Sequence, residues 1–132
     1  MQIKDRVFIV TGASSGIGLA TAVALSGRGG KVALLARSTD ALEKLARQLP
    51  GSLPVTVDMT QFDRVREAVQ VVHAHYDRID GLVNNAGRSY AASVEEIDPA
   101  VFDEIFRLNV SGPIVGMQAV IPRCGRKAAA AL

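Results

Sequence analysis

The segment Thr11-Gly-Ala-Ser-Ser-Gly-Ile-Gly18 places glycines and small polar residues between an apolar run at 6–10 and a run with helical spacing. A phosphate needs backbone that approaches without Cβ atoms in the way, and the N–H groups at the start of a following helix stabilise its charge. We therefore predict a pyrophosphate site, with Gly12 in the turn, Gly16 at the close approach and Gly18 where helix packs on strand. The loop also contains Ser14, Ser15 and Ile17. A purely structural glycine bend is the alternative.

The residues about 20 positions beyond the glycines bear on which dinucleotide would bind. An acidic residue there binds the ribose 2′-hydroxyl of NAD and repels the 2′-phosphate of NADP. This chain has Ala36 followed by Arg37, and a guanidinium can pair bidentately with a phosphate. We therefore predict NADP(H) in preference to NAD(H), with Ser14 and Ser15 as further donors to the phosphate. The alternative is that Arg37 is a solvated surface charge.

Apolar runs that predict strands alternate along the chain with runs of helical spacing. Strands are predicted at residues 6–10, 31–36, 55–57 and 81–83, and the helices between them at about 17–27, 40–49 and 61–76. The alternation predicts right-handed crossovers and a parallel sheet, an α/β fold of the Rossmann-like, doubly wound type. Two local expectations are a buried stripe in the first helix and an acidic capping box that starts the second. The stripe comprises Ile17, Ala20, Thr21 and Ala24, and the box Asp40 and Glu43.

A long helix is predicted after the fourth strand, with Asp98 as N-cap, and it runs towards Pro122. Pro113 should interrupt it, because proline has no N–H for the carbonyl of Asn109 and its ring clashes with that carbonyl. Either the freed carbonyl faces a ligand cleft and holds a water, or Pro113 starts a new helix. Residues 124–132 carry no strand signal, and their alanine run resembles a cloning remnant or an out-of-frame tail. The predicted domain is therefore 1–123, a sheet of about four strands and this helix.

Two further motifs, Asn84-Asn-Ala-Gly87 and the Asn109 of Leu-Asn-Val-Ser-Gly, occur in order after the glycine loop. Together the three motifs resemble the short-chain dehydrogenase/reductase family over about residues 3–123. The resemblance implies a pyrophosphate in the glycine loop and an adenosine ribose beside residues 85–87, which also support the sheet. It further implies a water held by the carbonyl of Asn109, which belongs to the catalytic set. The other cofactor-binding residues that it implies are Asp58 and Met59 at the adenine and Asn85, Ala86 and Gly87 at the ribose.

Enzymes of that family transfer hydride between a nicotinamide and a carbonyl or alcohol with a Tyr and a Lys at positions i and i+4. The two tyrosines of this chain, Tyr76 and Tyr90, are followed at that spacing by Asp80 and Val94. Three interpretations stay open. The favoured one is a truncated oxidoreductase that is inactive alone but binds NADP(H). The others are a natural nucleotide-binding or redox-sensing module without catalysis, and a half-enzyme completed by another chain.

The composition of the chain indicates which partners and which cellular compartment to expect. A net charge of +2 without a basic block argues against nucleic acid as a partner, and the apolar run near the start is too short for a signal peptide or a membrane span. A single cysteine, Cys124, fits a reducing cytoplasm, where we expect this protein. No metal is expected, since His73 and His75 would face different directions on a helix. We expect a homo-oligomer, because the fourth strand would be an uncovered edge beside bare helix surface.

Overall fold

The computed structural model describes residues 1–124 and the backbone of residues 130–131. Its strands are β1 (Val7–Thr11), β2 (Lys31–Ala36), β3 (Leu53–Thr56), β4 (Gly81–Val83) and β5 (Ala130–Ala131). They form one sheet in the order β3-β2-β1-β4-β5, and every neighbouring pair is parallel. The Rossmann-like parallel sheet predicted from the sequence is therefore confirmed.

Helices connect the strands. They are α1 (Gly16–Gly27), α2 (Thr39–Ala46), α3 (Phe62–Tyr76), α4 (Pro99–Phe106) and α5 (Gly112–Val120). A π-helical segment at Arg107–Ser111 joins the last two helices, and short 3-10 turns lie at Val94–Glu96 and Ile121–Arg123. Asp98 caps α4 as predicted, because its carboxylate accepts a hydrogen bond from the N–H of Ala100 at 2.9 Å.

The core lies on both faces of the sheet because successive side chains of a strand point to opposite sides. On β1, Val7 and Ile9 contribute to one buried cluster while Val10 contributes to the other. The first cluster contains the buried residues of α3 and α5, and the second contains those of α1 and α2. Each central strand is covered on both faces, and the carboxyl ends of the strands are left to form a site.

The predicted buried stripe of α1 was wrong. Ile17 is 78% exposed, and the helix instead buries Gly18 and Ala22 against the sheet. Apolar residues occur all around this helix, so their spacing did not single out one face. The predicted capping box of α2 was also wrong, since the cap is Ser38, whose hydroxyl accepts a hydrogen bond from the N–H of Ala41 at 3.4 Å.

Two expectations about the carboxyl-terminal part need correction. Residues 124–132 were expected to carry no strand, but Ala130–Ala131 pairs with Gly81 and Leu82 of β4. β4 is consequently not the bare edge that was expected. Strand pairing uses backbone groups, so a run of alanines can take part in it although its side chains give no strand pattern.

The predicted interruption near Pro113 is confirmed, and it takes the form of a wide helical turn. The N–H of Gly112 donates to the carbonyl of Arg107, five residues earlier, and the backbone at Ser111 and Gly112 stays helical. The two helices are therefore joined through a π-helical segment, a feature often found at functional sites. Whether the carbonyl of Asn109 holds a water stays a prediction.

Candidate functional site

A cleft of about 470 Å³ lies at the carboxyl ends of β1 to β4, where parallel α/β sheets bind their ligands. It brings together most of the residues predicted from the sequence. The predicted residues that line it are Gly12, Ser14, Ser15, Gly16, Ile17, Arg37, Asp58, Met59, Asn85, Ala86 and Gly87. Gly18 and Asn109 are not part of the lining, and each instead supports residues that are.

The glycines of the loop differ in what surrounds them. Gly12 and Gly16 both have positive φ angles, +67° and +55°, which favour glycine. A Cβ at Gly16 would meet nothing within 4 Å, so this side of the turn is open to the cleft, as a close ligand approach requires. A Cβ at Gly18 would collide with the carbonyl oxygen of Gly12 and the side-chain nitrogen of Asn85. Gly18 is therefore the packing glycine of the loop.

The buried hydroxyl of Thr11 joins the end of β1 to the turn after β4. It accepts hydrogen bonds from the N–H groups of Asn85 and Ala86, both at 3.0 Å, and donates to the carbonyl of Val83 at 3.3 Å. In return the side-chain amide of Asn85 donates to the carbonyls of Thr11 and Gly12 at 3.1 and 3.3 Å. These bonds fix the two turns relative to each other, and so they fix the centre of the cleft.

Arg37 and Asp58 lie at the ends of β2 and β3 and give this part of the cleft its charge. Asp58 accepts two hydrogen bonds from Thr60, from its N–H at 2.9 Å and its hydroxyl at 2.7 Å. Burial alone would raise the pKa of Asp58, but the Thr60 bonds and the charge of Arg37 hold it below its usual value. Within the described residues, no carboxylate lies within 4 Å of the Arg37 guanidinium. Its charge is thus available to a ligand.

Asn109 supports the cleft from outside. Its side-chain oxygen accepts a hydrogen bond from the N–H of Arg88 at 2.9 Å, and its side-chain nitrogen donates to the carbonyl of Arg88 at 2.8 Å. This pair fixes the backbone directly after Gly87, and the Arg88 side chain then reaches to 3.9 Å from Glu104. The side chain of Asn109 thus holds both backbone groups of Arg88.

Several lining residues were not predicted, namely Ala36, Ser38, Val57, Thr60, Arg88, Glu104 and Leu108. Five of them, Ala36, Ser38, Val57, Thr60 and Arg88, each adjoin a predicted residue in the chain, so extending the predicted positions by one would have found them. Glu104 comes from α4 and lies in no motif, and Leu108 lies in the Leu-Asn-Val-Ser-Gly motif, of which only Asn109 was assigned a role. Their approach to the cleft depends on tertiary packing, in which Arg107 donates a hydrogen bond to the carbonyl of Thr60 at 2.7 Å.

Outside the cleft, burial raises the pKa of Tyr76 to about 12, and its hydroxyl donates a 2.6 Å hydrogen bond to the carbonyl of Gly51. Among the described residues there is no group of three potential metal ligands from His, Cys, Asp and Glu side chains. In the same part of the chain, the helices are too short or too polar to cross a membrane.

Comparison with known proteins gives a family match to short chain dehydrogenase over residues 6–131. A curated relative, the 3-oxoacyl-[acyl-carrier-protein] reductase of Thermotoga maritima, is 34% identical over 126 residues, which are 92% of this chain and 51% of that protein. An uncharacterised oxidoreductase of Staphylococcus epidermidis is 33% identical over 92% of this chain and 53% of its own length. The chain thus spans about half the length of the curated relatives it matches.

A solved structure that is similar is the 3-ketoacyl-(acyl-carrier-protein) reductase of Brucella melitensis complexed with NADH. It is 30% identical, with a TM-score of 0.88 over 92% of this chain and 51% of that one. A short-chain dehydrogenase from Streptomyces avermitilis is 38% identical, with a TM-score of 0.86 over 89% of this chain and 44% of that one. The likeness therefore extends over nearly the whole of this chain, in sequence and in fold.

Proposed function

This chain belongs to the short-chain dehydrogenase family of oxidoreductases, and we propose that it forms the NADP(H)-binding portion of such an enzyme. When bound, that cofactor supplies a hydride to a carbonyl or accepts one from an alcohol. A single observation carries the proposal. The glycine turn, Arg37, Asp58 and the turn at residues 85–87 line one cleft at the carboxyl ends of the strands.

The residues of the cleft fit a dinucleotide. The open face of Gly16 leaves room for a pyrophosphate beside the start of α1, where backbone N–H groups and the helix dipole favour an anion. Asp58 keeps its charge at neutral pH and would accept a hydrogen bond from the adenine amino group. The backbone of Met59 and the turn at residues 85–87 would complete the adenosine site.

The preference for NADP(H) rests on the charge at the end of β2. Ala36 stands where an NAD enzyme carries an acid, and Arg37 has no carboxylate within 4 Å among the described residues. A 2′-phosphate would therefore be attracted by Arg37 and would not meet an acid at position 36, and Ser14 and Ser15 lie in the same cleft as further donors. The Brucella relative was solved with NADH, so relatives of this fold also accept the unphosphorylated cofactor.

Titration of the chain with NADPH and NADH, followed by cofactor fluorescence, tests the proposal. We expect the chain to bind NADPH more tightly than NADH, and we expect Arg37→Ala to reduce the difference between the two affinities. Arg47→Ala, which removes an exposed arginine at the end of α2 outside the cleft, is the matched control and should keep the difference. Equal affinities for both cofactors in the parent chain would contradict the preference, and no binding of either would contradict the function.

We further propose that the chain alone is inactive. Neither tyrosine is followed at i+4 by a lysine, and the raised pKa of Tyr76 makes it a poor acid or base at neutral pH. Asn109 would then be the residue of the catalytic set that this chain supplies, through its backbone carbonyl. The same observation favours a second candidate, a nucleotide-binding or redox-sensing module without catalysis. An assay of NADPH oxidation with a broad panel of ketones tests both candidates, the inactive enzyme portion and the non-catalytic module. Turnover of any ketone would contradict both of them.

We also propose that the protein self-associates in the cytoplasm. Phe102, Phe106, Val110 and Ile114 follow at intervals of four residues from α4 into α5, and each is more than a third exposed. In an α-helix of 3.6 residues per turn, side chains four residues apart would move gradually around the helix. The turn at Arg107–Ser111 is wider than an α-helical turn, which offsets this rotation and keeps the four side chains near one face. Exposed apolar side chains that share one face in this way are typical of an interface.

A further inference from the structure

A second hollow, of about 390 Å³, adjoins the cofactor cleft where β2 and β3 end and α3 begins. It shares Arg37, Val57 and Asp58 with the cleft, so these three residues form a common wall between the two spaces. The rest of its lining is Thr56, Gln61 and Arg64, which come from the end of β3 and the first turn of α3. Arg64 belongs to none of the motifs recognised in the sequence.

The charges of this hollow favour an anion. Its lining contains two guanidinium groups, Arg37 and Arg64, against one carboxylate, Asp58. Asp58 is already engaged by Thr60 and lies in the field of Arg37, so the charge of Arg64 is not balanced within the lining. A phosphate that reached Arg37 from the cleft would therefore also lie in the field of Arg64.

Arg64 is able to move to such a ligand. Its present partner is Glu67, three residues along the same helix, at 3.0 Å, and the two side chains are 68% and 58% exposed. An ion pair as exposed as this contributes little free energy, so exchanging it for a doubly charged phosphate is favourable. The glycine loop has Ser15 and offers no second basic residue to the phosphate.

We propose that Arg64 is a specificity-determining residue, the second cation that recognises the 2′-phosphate of NADP(H) together with Arg37. The inference rests on the proposed function and adds to it a residue outside the glycine loop and the end of β2. In this arrangement Arg37 separates the two spaces, and the phosphate binds between its guanidinium and that of Arg64.

Titration calorimetry with adenosine 2′,5′-bisphosphate (2′,5′-ADP) and 5′-AMP tests the role of Arg64, because the two probes differ only in the 2′-phosphate. Arg64→Gln should weaken binding of 2′,5′-ADP by about fivefold, the contribution of one exposed ion pair, and leave the affinity for 5′-AMP nearly unchanged. Arg66→Gln is the matched control. It removes the same charge from the same helix, but Arg66 pairs with Asp63 and does not line the hollow. Glu67→Gln, which releases Arg64, should strengthen binding of 2′,5′-ADP.

The outcomes separate the inference from the function on which it rests. If the parent chain prefers 2′,5′-ADP, and Arg64→Gln lowers this preference while Arg66→Gln does not, the inference holds. If both variants lower it equally, the effect is a general one of net charge and Arg64 has no specific role. If only Arg37→Ala lowers it, the inference fails and the proposed NADP(H) preference stands. If the parent binds neither probe, the proposed function and the inference both fail.

Discussion

The hydroxyl of Thr11 offers the sharpest test of how the fold builds the cleft. Thr11→Val keeps the shape of the side chain and removes its hydrogen bonds. In the native chain this hydroxyl, on a residue only 2% exposed, satisfies the N–H groups of Asn85 and Ala86 and the carbonyl of Val83. Valine leaves the N–H of Ala86 without the hydroxyl that it bonds, whereas the N–H of Asn85 and the carbonyl of Val83 keep the 3.1 Å hydrogen bond that joins them.

The expected loss follows from those bonds. A buried polar group left unsatisfied costs about 1–3 kcal/mol, and the partly buried N–H of Ala86 is the one group left in this way, so Thr11→Val should lower the free energy of unfolding by about 2 kcal/mol. Thr11→Ser is the matched control, because it keeps the hydroxyl and removes one buried methyl group. That change should cost about 1 kcal/mol. Most domains have only about 5–15 kcal/mol of stability, so the valine variant should be visibly weakened.

Urea unfolding followed by circular dichroism measures both variants, with an unchanged m-value as the sign that the folded and unfolded states stay comparable. Affinity for NADPH should fall in Thr11→Val, because the turn at residues 85–87 loses its anchor. A valine variant within about 0.5 kcal/mol of the parent, or a serine variant that costs as much as the valine one, would refute the role assigned to the hydroxyl.

Three other predictions follow from the structure. Gly18→Ala should lower the free energy of unfolding by about 3 kcal/mol and abolish NADPH binding, because the new Cβ would collide with the Gly12 carbonyl and the Asn85 amide. Unchanged unfolding and unchanged binding would contradict the role of Gly18 in packing the loop. Burial alone would raise the pKa of Asp80, but its bonds to Arg78 and to the N–H of Val7, with the charge of Arg6, hold it below the usual value. The ionised Asp80 therefore stabilises the fold above its ordinary pKa, and this stabilisation is lost as the pH falls through the lowered pKa. The free energy of unfolding of Asp80→Asn should be lower than that of the parent by about 2 kcal/mol at pH 7, and the difference should shrink in acid. A difference that does not change with pH would refute this role of Asp80. Phe106→Glu should shift the chain towards monomer in sedimentation velocity, and an unchanged distribution would show that the apolar face is not the interface.

The sequence alone was enough to predict those site residues that have a distinctive chemistry and that directly follow a predicted strand. The glycine loop, Arg37 and Asp58 follow three successive strands, and parallel strands bring their carboxyl ends to one edge of the sheet. The cleft could therefore be predicted from residues that lie far apart in the chain. The cap at Asp98 and the interruption before Pro113 were likewise local consequences of residue type.

Features that depend on packing could not be predicted in this way. The buried face of α1 is set by how closely Gly18 meets the turn, whereas its sequence is apolar on several sides. The wide turn at Arg107–Ser111 and the approach of Glu104 to the cleft depend on how this helix packs beside Thr60. Pairing of Ala130–Ala131 with β4 uses backbone groups and leaves no mark in the side-chain pattern.

The central claim is that the cleft at the carboxyl ends of the strands binds a nicotinamide dinucleotide, and mapping amide NMR signals during an NADPH titration tests it most directly. We predict saturable shifts concentrated in the glycine loop at residues 12–17, at Arg37 and Ser38, at Asp58 and Met59, and at residues 85–88. The buried strand residues and the far end of α3 near Tyr76 should stay unchanged. Shifts centred elsewhere, or none at saturating NADPH in a folded chain, would contradict the account.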